Sequence, residues 1–228
     1  MTTTDRAIQV IKAMIVNGEL DPGDRLPSLL DLAVQLGVSP GTLREAVRAL
    51  TLVKVLDTRH GDGVYVSSLT TEHLLETVSL VADFHSEANA LHFLEARRIL
   101  ESAATAQAAS RITDGQIDEL RRIIGEMTPE LPMPQRVALD VEFHRRICAA
   151  SGNPLLASIV DGLTPATVRA RVWLGLTEPG AFERTRLEHL AIIDALQARS
   201  PDVAASRAMV HINGVEAWLR RHLYPEGV

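Results

Sequence analysis

Two short apolar-periodic segments with almost nothing between them constrain this chain more than any other feature. The first spans 28–36, opening on Ser28 and stopping at Gly37; the second opens on Ser39 and runs from Pro40 through Leu50. A serine at the entry offers its oxygen to the orphan N–H groups of the first turn. Proline costs nothing at the first helical position, and glycine accepts the left-handed residue that ends a helix. Two helices joined by so tight a glycine-containing turn form a helix-turn-helix, with the second helix available to a major groove.

The flanks extend this into a larger unit. Ala7, Ile8, Ile11, Ala13, Ile15 and Val16 recur at helical spacing and Gly18 stops them, while Leu20-Asp21-Pro22-Gly23-Asp24 is a turn. Beyond the second segment, the β-prone runs 53–57 and 63–66 are bridged by Thr58-Arg59-His60-Gly61-Asp62, turn chemistry suited to a hairpin. Helix, helix-turn-helix and hairpin make a winged helix over 1–68, and Thr70 and Thr71 are placed to cap the next helix.

Over 69–228 the pattern predicts helices near 71–84, 86–110, 113–127, 134–151, 153–175, 179–198 and 201–223, with Pro165 kinking the fifth. No strand pattern interrupts them. The expected fold is mainly α: an N-terminal winged helix-turn-helix with a small β-hairpin wing, then an antiparallel all-α bundle of six to seven helices.

Composition narrows the chemistry. Apolar residues make up 46% of the chain, yet no uncharged run approaches the ~20 residues of a membrane span, and the N-terminus lacks a secretory pattern. A cytoplasmic location with no membrane partner is expected. Cys148 stands alone, so there is no internal disulfide and no cysteine zinc finger; a metal must use histidines and carboxylates. The first 68 residues carry seven Lys and Arg against eight Asp and Glu, so DNA affinity cannot rest on net charge.

Gly18-Glu19-Leu20-Asp21-Pro22-Gly23-Asp24-Arg25-Leu26-Pro27-Ser28, then Leu32-Ala33, Leu36-Gly37-Val38-Ser39, and Leu43-Arg44-Glu45-Ala46-Val47 with Leu50, resemble the DNA-binding domain of GntR-family transcription regulators. The likeness covers nearly all of 5–67. Arg44 and Arg48, four apart, share a face of the second helix, and Ser39 and Thr42 lie at its N-terminus. Arg59, His60 and Gly61 sit at the wing tip, suited to the minor groove or backbone. The other reading of Arg44 is a helix-surface pair with Glu45 or Asp31. Leu29-Leu30 stand where the family often has an acidic residue and arginine, and Pro40 where it often has arginine, so two contacts are absent.

In the second part, Asp140 and His144 lie one helical turn apart, which is also the spacing of ordinary surface pairs. His189 and His211 are each flanked by apolar residues, as core histidines commonly are. Three histidines and an aspartate on three bundle helices can nevertheless converge, and such a donor set suits Zn first, with Ni, Mn or Fe as alternatives.

Asp140-x-x-Phe143-His144, then Ala150-Ser151-Gly152-Asn153-Pro154-Leu155-Leu156, Glu188-His189-x-x-Ile192 and His211, are similar to the FCD-type effector domain of the FadR branch of that family, over about 73–222. The resemblance implies a divalent metal held by Asp140, His144, His189 and His211, with positions left open for water or an effector carboxylate. It also implies that Arg97 anchors that carboxylate; the alternative is an Arg97 to Glu101 surface pair. Arg169 and Asn213 are further candidates for the cavity wall.

The expectation is a metabolite-responsive regulator, not an enzyme, acting as a homodimer on double-stranded operator DNA and answering to a small organic acid. The alternative is a metal-dependent enzyme acting on such an acid, with an accessory winged helix.

Overall fold

The structure is a computed structural model that describes residues 1–69 and 87–224. The chain divides into two compact units, Met1–Thr77 and Val78–Val228. The helix expected over 71–84, with its caps Thr70 and Thr71, lies outside the described residues.

In the first unit, α1 (Thr3–Val16) begins with a reciprocal cap in which the Thr2 side chain accepts from Asp5 N and the Asp5 carboxylate accepts from Thr2 N. Helix α2 (Leu29–Leu36) is capped by Ser28 and closed by Gly37 at φ 62°; α3 (Pro40–Leu52) is capped by Ser39 with Pro40 in its first turn. These are the terminators expected from the sequence. Ala7 and Ile11 of α1, Leu32 and Ala33 of α2, and Leu43, Ala46 and Leu50 of α3 meet in one core.

Strands β1 (Leu56–Arg59) and β2 (Gly63–Val66) form the antiparallel wing, with Leu56 opposite Val66 and Arg59 opposite Gly63. Here the structure corrects the expected first strand of 53–57. Val53 caps α3 and Lys54 takes a left-handed φ of 58°, so the β-branched run is spent ending the helix. The turn segment also does more than turn: Gly23 N donates to Val66 O and Leu26 N to Val64 O, which lays 23–26 along the wing.

The second unit is a helical bundle of α4 (Glu87–Ala109), α5 (Asp114–Glu126), α6 (Met133–Ala150), α7 (Pro154–Thr177), α8 (Ala181–Gln197) and α9 (Pro201–Leu223) among the described residues. Proline follows the N-cap of α7 and α9, and Asn153 caps α7 by accepting from Leu156 N. Between α6 and α7, Gly152 is left-handed and lies against the Arg111 side chain, which donates to Ser151 O. Pro165 lies inside α7, whose helical run continues through it. One apolar core gathers Ile112, Ile117, Leu120, Phe143, Ile192 and Leu196; another gathers Leu91, Leu94, Leu174, Ile212, Trp218 and Leu219. Among the described residues no helix is long and apolar enough to cross a membrane.

Candidate metal centre and nucleic-acid interface

Polar side chains break the apolar inner faces of the bundle at one place. Asp140 and His144 from α6, His189 from α8 and His211 from α9 are all buried, and one donor atom of each lies within 4.8 Å of the others. His211 Nε2 faces His144 Nε2 at 3.2 Å and His189 Nε2 at 3.3 Å. Asp140 Oδ1 lies 3.2 Å from His189 Nε2 and 3.8 Å from His144 Nε2. Donors bound at about 2.1 Å to one cation are separated by about 3.0–3.4 Å, so this spacing is that of ligands around a shared ion.

The outer hydrogen bonds sharpen the point. His144 Nδ1 faces Glu101 Oε2 at 3.0 Å and His211 Nδ1 faces Glu188 Oε2 at 2.8 Å. A carboxylate accepts only, so the His211 Nδ1 that faces Glu188 carries a proton, and in the neutral imidazole its Nε2 is then a bare lone pair. That lone pair points to His144 Nε2 at 3.2 Å and His189 Nε2 at 3.3 Å, a position that a proton or a metal cation can occupy. His189 Nδ1 is buried with no hydrogen-bond partner. The donor set and its spacing therefore fit a divalent metal.

Electrostatics keep the donors in ligating form. Burial would raise the Asp140 pKa, but the Arg171 guanidinium and a hydrogen bond from His189 hold it well below the usual carboxylate range. Burial, reinforced by the neighbouring His211, pushes His189 down to about 3. His144 is also lowered, because burial outweighs the pull of Glu101. Glu101 stays ionised despite its burial, through Arg97 and His144.

Arg97 is 2% exposed and Glu101 1%, so their pair is buried and not a surface pair. Arg97 Nε donates to Glu101 Oε1, and Arg97 Nη1 donates to Thr167 Oγ1 at 2.6 Å. Thr167 Oγ1 also accepts from Arg171 Nη2 at 3.2 Å and donates its own proton to Thr164 O, so one hydroxyl ties the two guanidiniums together. Arg171 Nη1 completes the set by donating to Asp140 Oδ2.

A cavity of about 70 Å³ adjoins the cluster, lined in part by Asp140, His211, Arg171 and Arg136. Arg97 is not part of its lining: its guanidinium is spent on Glu101 and Thr167. Arg169 and Asn213 are exposed and also lie outside the lining, which corrects their expected facing. Sequence reasoning missed Arg171, although Thr164, Thr167 and Arg171 recur at helical spacing along an apolar face and so carried the signal. It also missed Glu188 as the partner of His211.

In the first unit, Arg44 and Arg48 are exposed and, among the described residues, make no ion pair. The residues that could have held Arg44 are engaged elsewhere: Glu45 accepts from Thr4 Oγ1 and Asp31 from Ser28 Oγ. The Ser39 oxygen accepts from Thr42 N at 3.0 Å, with the two hydroxyls 2.9 Å apart, so both serve the helix cap. At the wing, Arg59 lies over the Tyr65 ring, His60 and Gly61 are exposed, and Gly61 takes the left-handed conformation of the turn at φ 75°. Arg25 Nη2 donates to Asp62 O and Tyr65 Oη to Asp62 Oδ2, bracing the tip.

A winged helix-turn-helix paired with a helical domain holding a buried polar centre defines a class, the two-part transcription regulator. A family profile described as "Bacterial regulatory proteins, gntR family" matches 3–66, and one described as "FCD domain" matches 92–214. The chain belongs to the gntR family and carries an FCD domain, the pairing its motifs resemble; it is a transcription regulator and not an enzyme. It is 29% identical to the HTH-type transcriptional regulator LutR of Bacillus subtilis (strain 168), over 89% of this chain and 94% of the relative. It is also 29% identical to the HTH-type transcriptional repressor NanR of Cronobacter sakazakii (strain ATCC BAA-894), over 91% of this chain and 81% of the relative. The solved structure of Streptococcus agalactiae GntR superposes with a TM-score of 0.68 at 25% identity, over 94% of this chain and 99% of that one.

Proposed function

We propose that this regulator senses a small carboxylate through a divalent metal, acting as a cytoplasmic homodimer on operator DNA. The observation that carries the reading is the buried four-donor cluster of Asp140, His144, His189 and His211, whose donor atoms all lie within 4.8 Å of one another. These four residues would hold the ion, Zn first by donor type, with Ni, Mn or Fe as alternatives. The metal would supply Lewis acidity toward an anionic oxygen.

Charge balance supports an anionic effector. Around the cluster the buried charges are already even, Arg97 and Arg171 against Glu101 and Asp140, and Glu216, the other buried carboxylate, is paired with Arg98 and Arg220, so a dication added at the cluster leaves a positive surplus that a bound carboxylate offsets. Arg97 then holds Glu101, Glu101 holds the His144 ring, and Glu188 holds the His211 ring. Ligand binding can alter operator affinity only by its differential affinity for the DNA-competent and incompetent states.

On the DNA side, Arg44 and Arg48 are the residues for base edges in the major groove, Ser39 and Thr42 lie at the N-terminus of α3 near the phosphates, and Arg59, His60 and Gly61 form the wing contact. The domain division follows the same reading, 1–68 for DNA and 69–228 for the effector and the dimer.

Two measurements test this. Elemental analysis of the full chain should find metal close to equimolar with protein and nearly none in His189→Ala. A mobility shift on the protein's own upstream region should show salt-sensitive binding that responds to an organic acid in wild type and not in that variant. Full metal content in His189→Ala would sink the assignment of the centre.

A further inference from the structure

The cavity beside the cluster has two kinds of wall. Arg136 and Arg171 line it together with Asp140, His211 and Thr185; the remainder is apolar, chiefly Met127, Met133, Leu174, Phe182 and Val215. Arg136 Nε and Arg171 Nε are both buried and both lack a hydrogen-bond partner. Arg171 is 9% exposed and has committed its other two nitrogens to Asp140 and Thr167. Arg136 lies over the face of Phe182, 5.4 Å from the ring centre, and makes no ion pair among the described residues. A buried donor left unpaired is costly, and a guanidinium is matched by a carboxylate in two parallel hydrogen bonds.

The apolar walls settle what else the ligand carries. A hydroxyl placed against Met133, Leu174 or Val215 would lose its hydrogen bonds to water with none in return, whereas a methylene gains by leaving water. The cavity is about 70 Å³, roughly half the ~150 Å³ engineered cavity that admits benzene, so there is room for an aliphatic tail of about three or four carbons. The wall is already tight where Gly175 faces Met133: a Cβ added at Gly175 would run into the Met133 thioether.

We propose that this site selects a short-chain aliphatic monocarboxylate over a polyhydroxylated acid, with Arg136 as the anchor that distinguishes an acid from an alcohol of the same length. The inference rests on the effector reading above and narrows it to a chemical class.

The test is calorimetric titration of the full chain with pentanoate, xylonate and 1-pentanol, with metal content measured in parallel. Pentanoate should bind at least tenfold more tightly than either of the others. Arg136→Met should weaken pentanoate at least tenfold while retaining the metal and the near-ultraviolet circular dichroism of wild type, and Arg136→Lys should recover part of the loss. Xylonate binding as tightly as pentanoate overturns the proposal, as does an Arg136→Met chain that binds pentanoate like wild type. If pentanoate binds and no metal is present before or after chelation, the site's selectivity stands and the metal reading fails. If metal is present and pentanoate does not bind, the selectivity fails and the metal reading stands.

Discussion

In the head, Arg44 and Arg48 stand exposed with no counter-charge among the described residues, whereas in the bundle Arg97 and Arg171 are buried and locked to Glu101 and Asp140. The same residue type does opposite work. An exposed, unpartnered guanidinium contributes almost nothing to folding and remains available to a phosphate or a guanine edge. A buried one must be matched where it lies, and what it then contributes is the position of its partner. The head keeps its binding energy for a ligand outside the fold; the bundle commits most of its polar groups to each other and leaves few atoms unsatisfied.

The largest effect that could break this contrast is on stability. Glu101→Ala would leave Arg97 buried without its counter-charge, a loss of about 3–5 kcal/mol, and Glu101→Ala with Arg97→Met should recover much of it. Urea unfolding followed by tryptophan fluorescence checks this in the bundle alone, because Trp173 and Trp218 are the only tryptophans and both lie there. Arg48→Ala in the head should stay within about 0.5 kcal/mol of wild type in urea unfolding followed by far-ultraviolet circular dichroism, which reads the head helices as well. Equal costs at the two sites would erase the distinction.

Next comes DNA affinity. Arg44→Ala should weaken specific binding by about 1–3 kcal/mol, roughly tenfold to a hundredfold, and reduce discrimination among operator variants, with metal content untouched. Mobility shifts on wild-type and base-substituted sites measure both. A smaller effect is expected at Ser39, whose oxygen accepts from Thr42 N: Ser39→Ala should cost about 1 kcal/mol of head stability through the lost cap, read as a lower thermal midpoint.

The same contrast explains what was legible in the sequence. Helix ends in the head follow capping chemistry that is local, so Ser28, Gly37 and Ser39 announce themselves. The four residues that the structure gathers into one cluster were named from the motifs shared with the FCD domain, because apolar flanks alone also mark ordinary core histidines. The neighbours of that cluster were harder to place. Arg169 and Arg171 are two residues apart in one helix, and which one faces inward depends on the rotation of α7 against α6, which only packing sets. The pair of Arg97 and Glu101 has the spacing of a surface ion pair, and burial alone tells the two cases apart. The start of β1 was displaced for a related reason: Lys54 ends α3 in a left-handed conformation that favours glycine, so no residue type marks the boundary.

The finest test concerns the wing, which has features of both regions. Arg59 is exposed like Arg44, yet it lies 3.9 Å from the centre of the Tyr65 ring, and that tyrosine is tied to Asp62. Arg25 braces the same turn, and Gly63, at φ 151°, leaves no room for a Cβ against the Arg25 side chain. The wing cation is therefore held in place before DNA arrives, as the bundle cations are, but at the surface, where a phosphate can reach it. Such a contact carries charge and little sequence information. Arg59→Ala should weaken binding to all sequences by a similar small factor and make the plot of log affinity against log salt shallower by about one unit, whereas Arg44→Ala should change the ranking of sequences. If Arg59→Ala instead changes that ranking, the wing reads bases or groove width, and the head has two readers where the geometry argues for one reader and one electrostatic clamp.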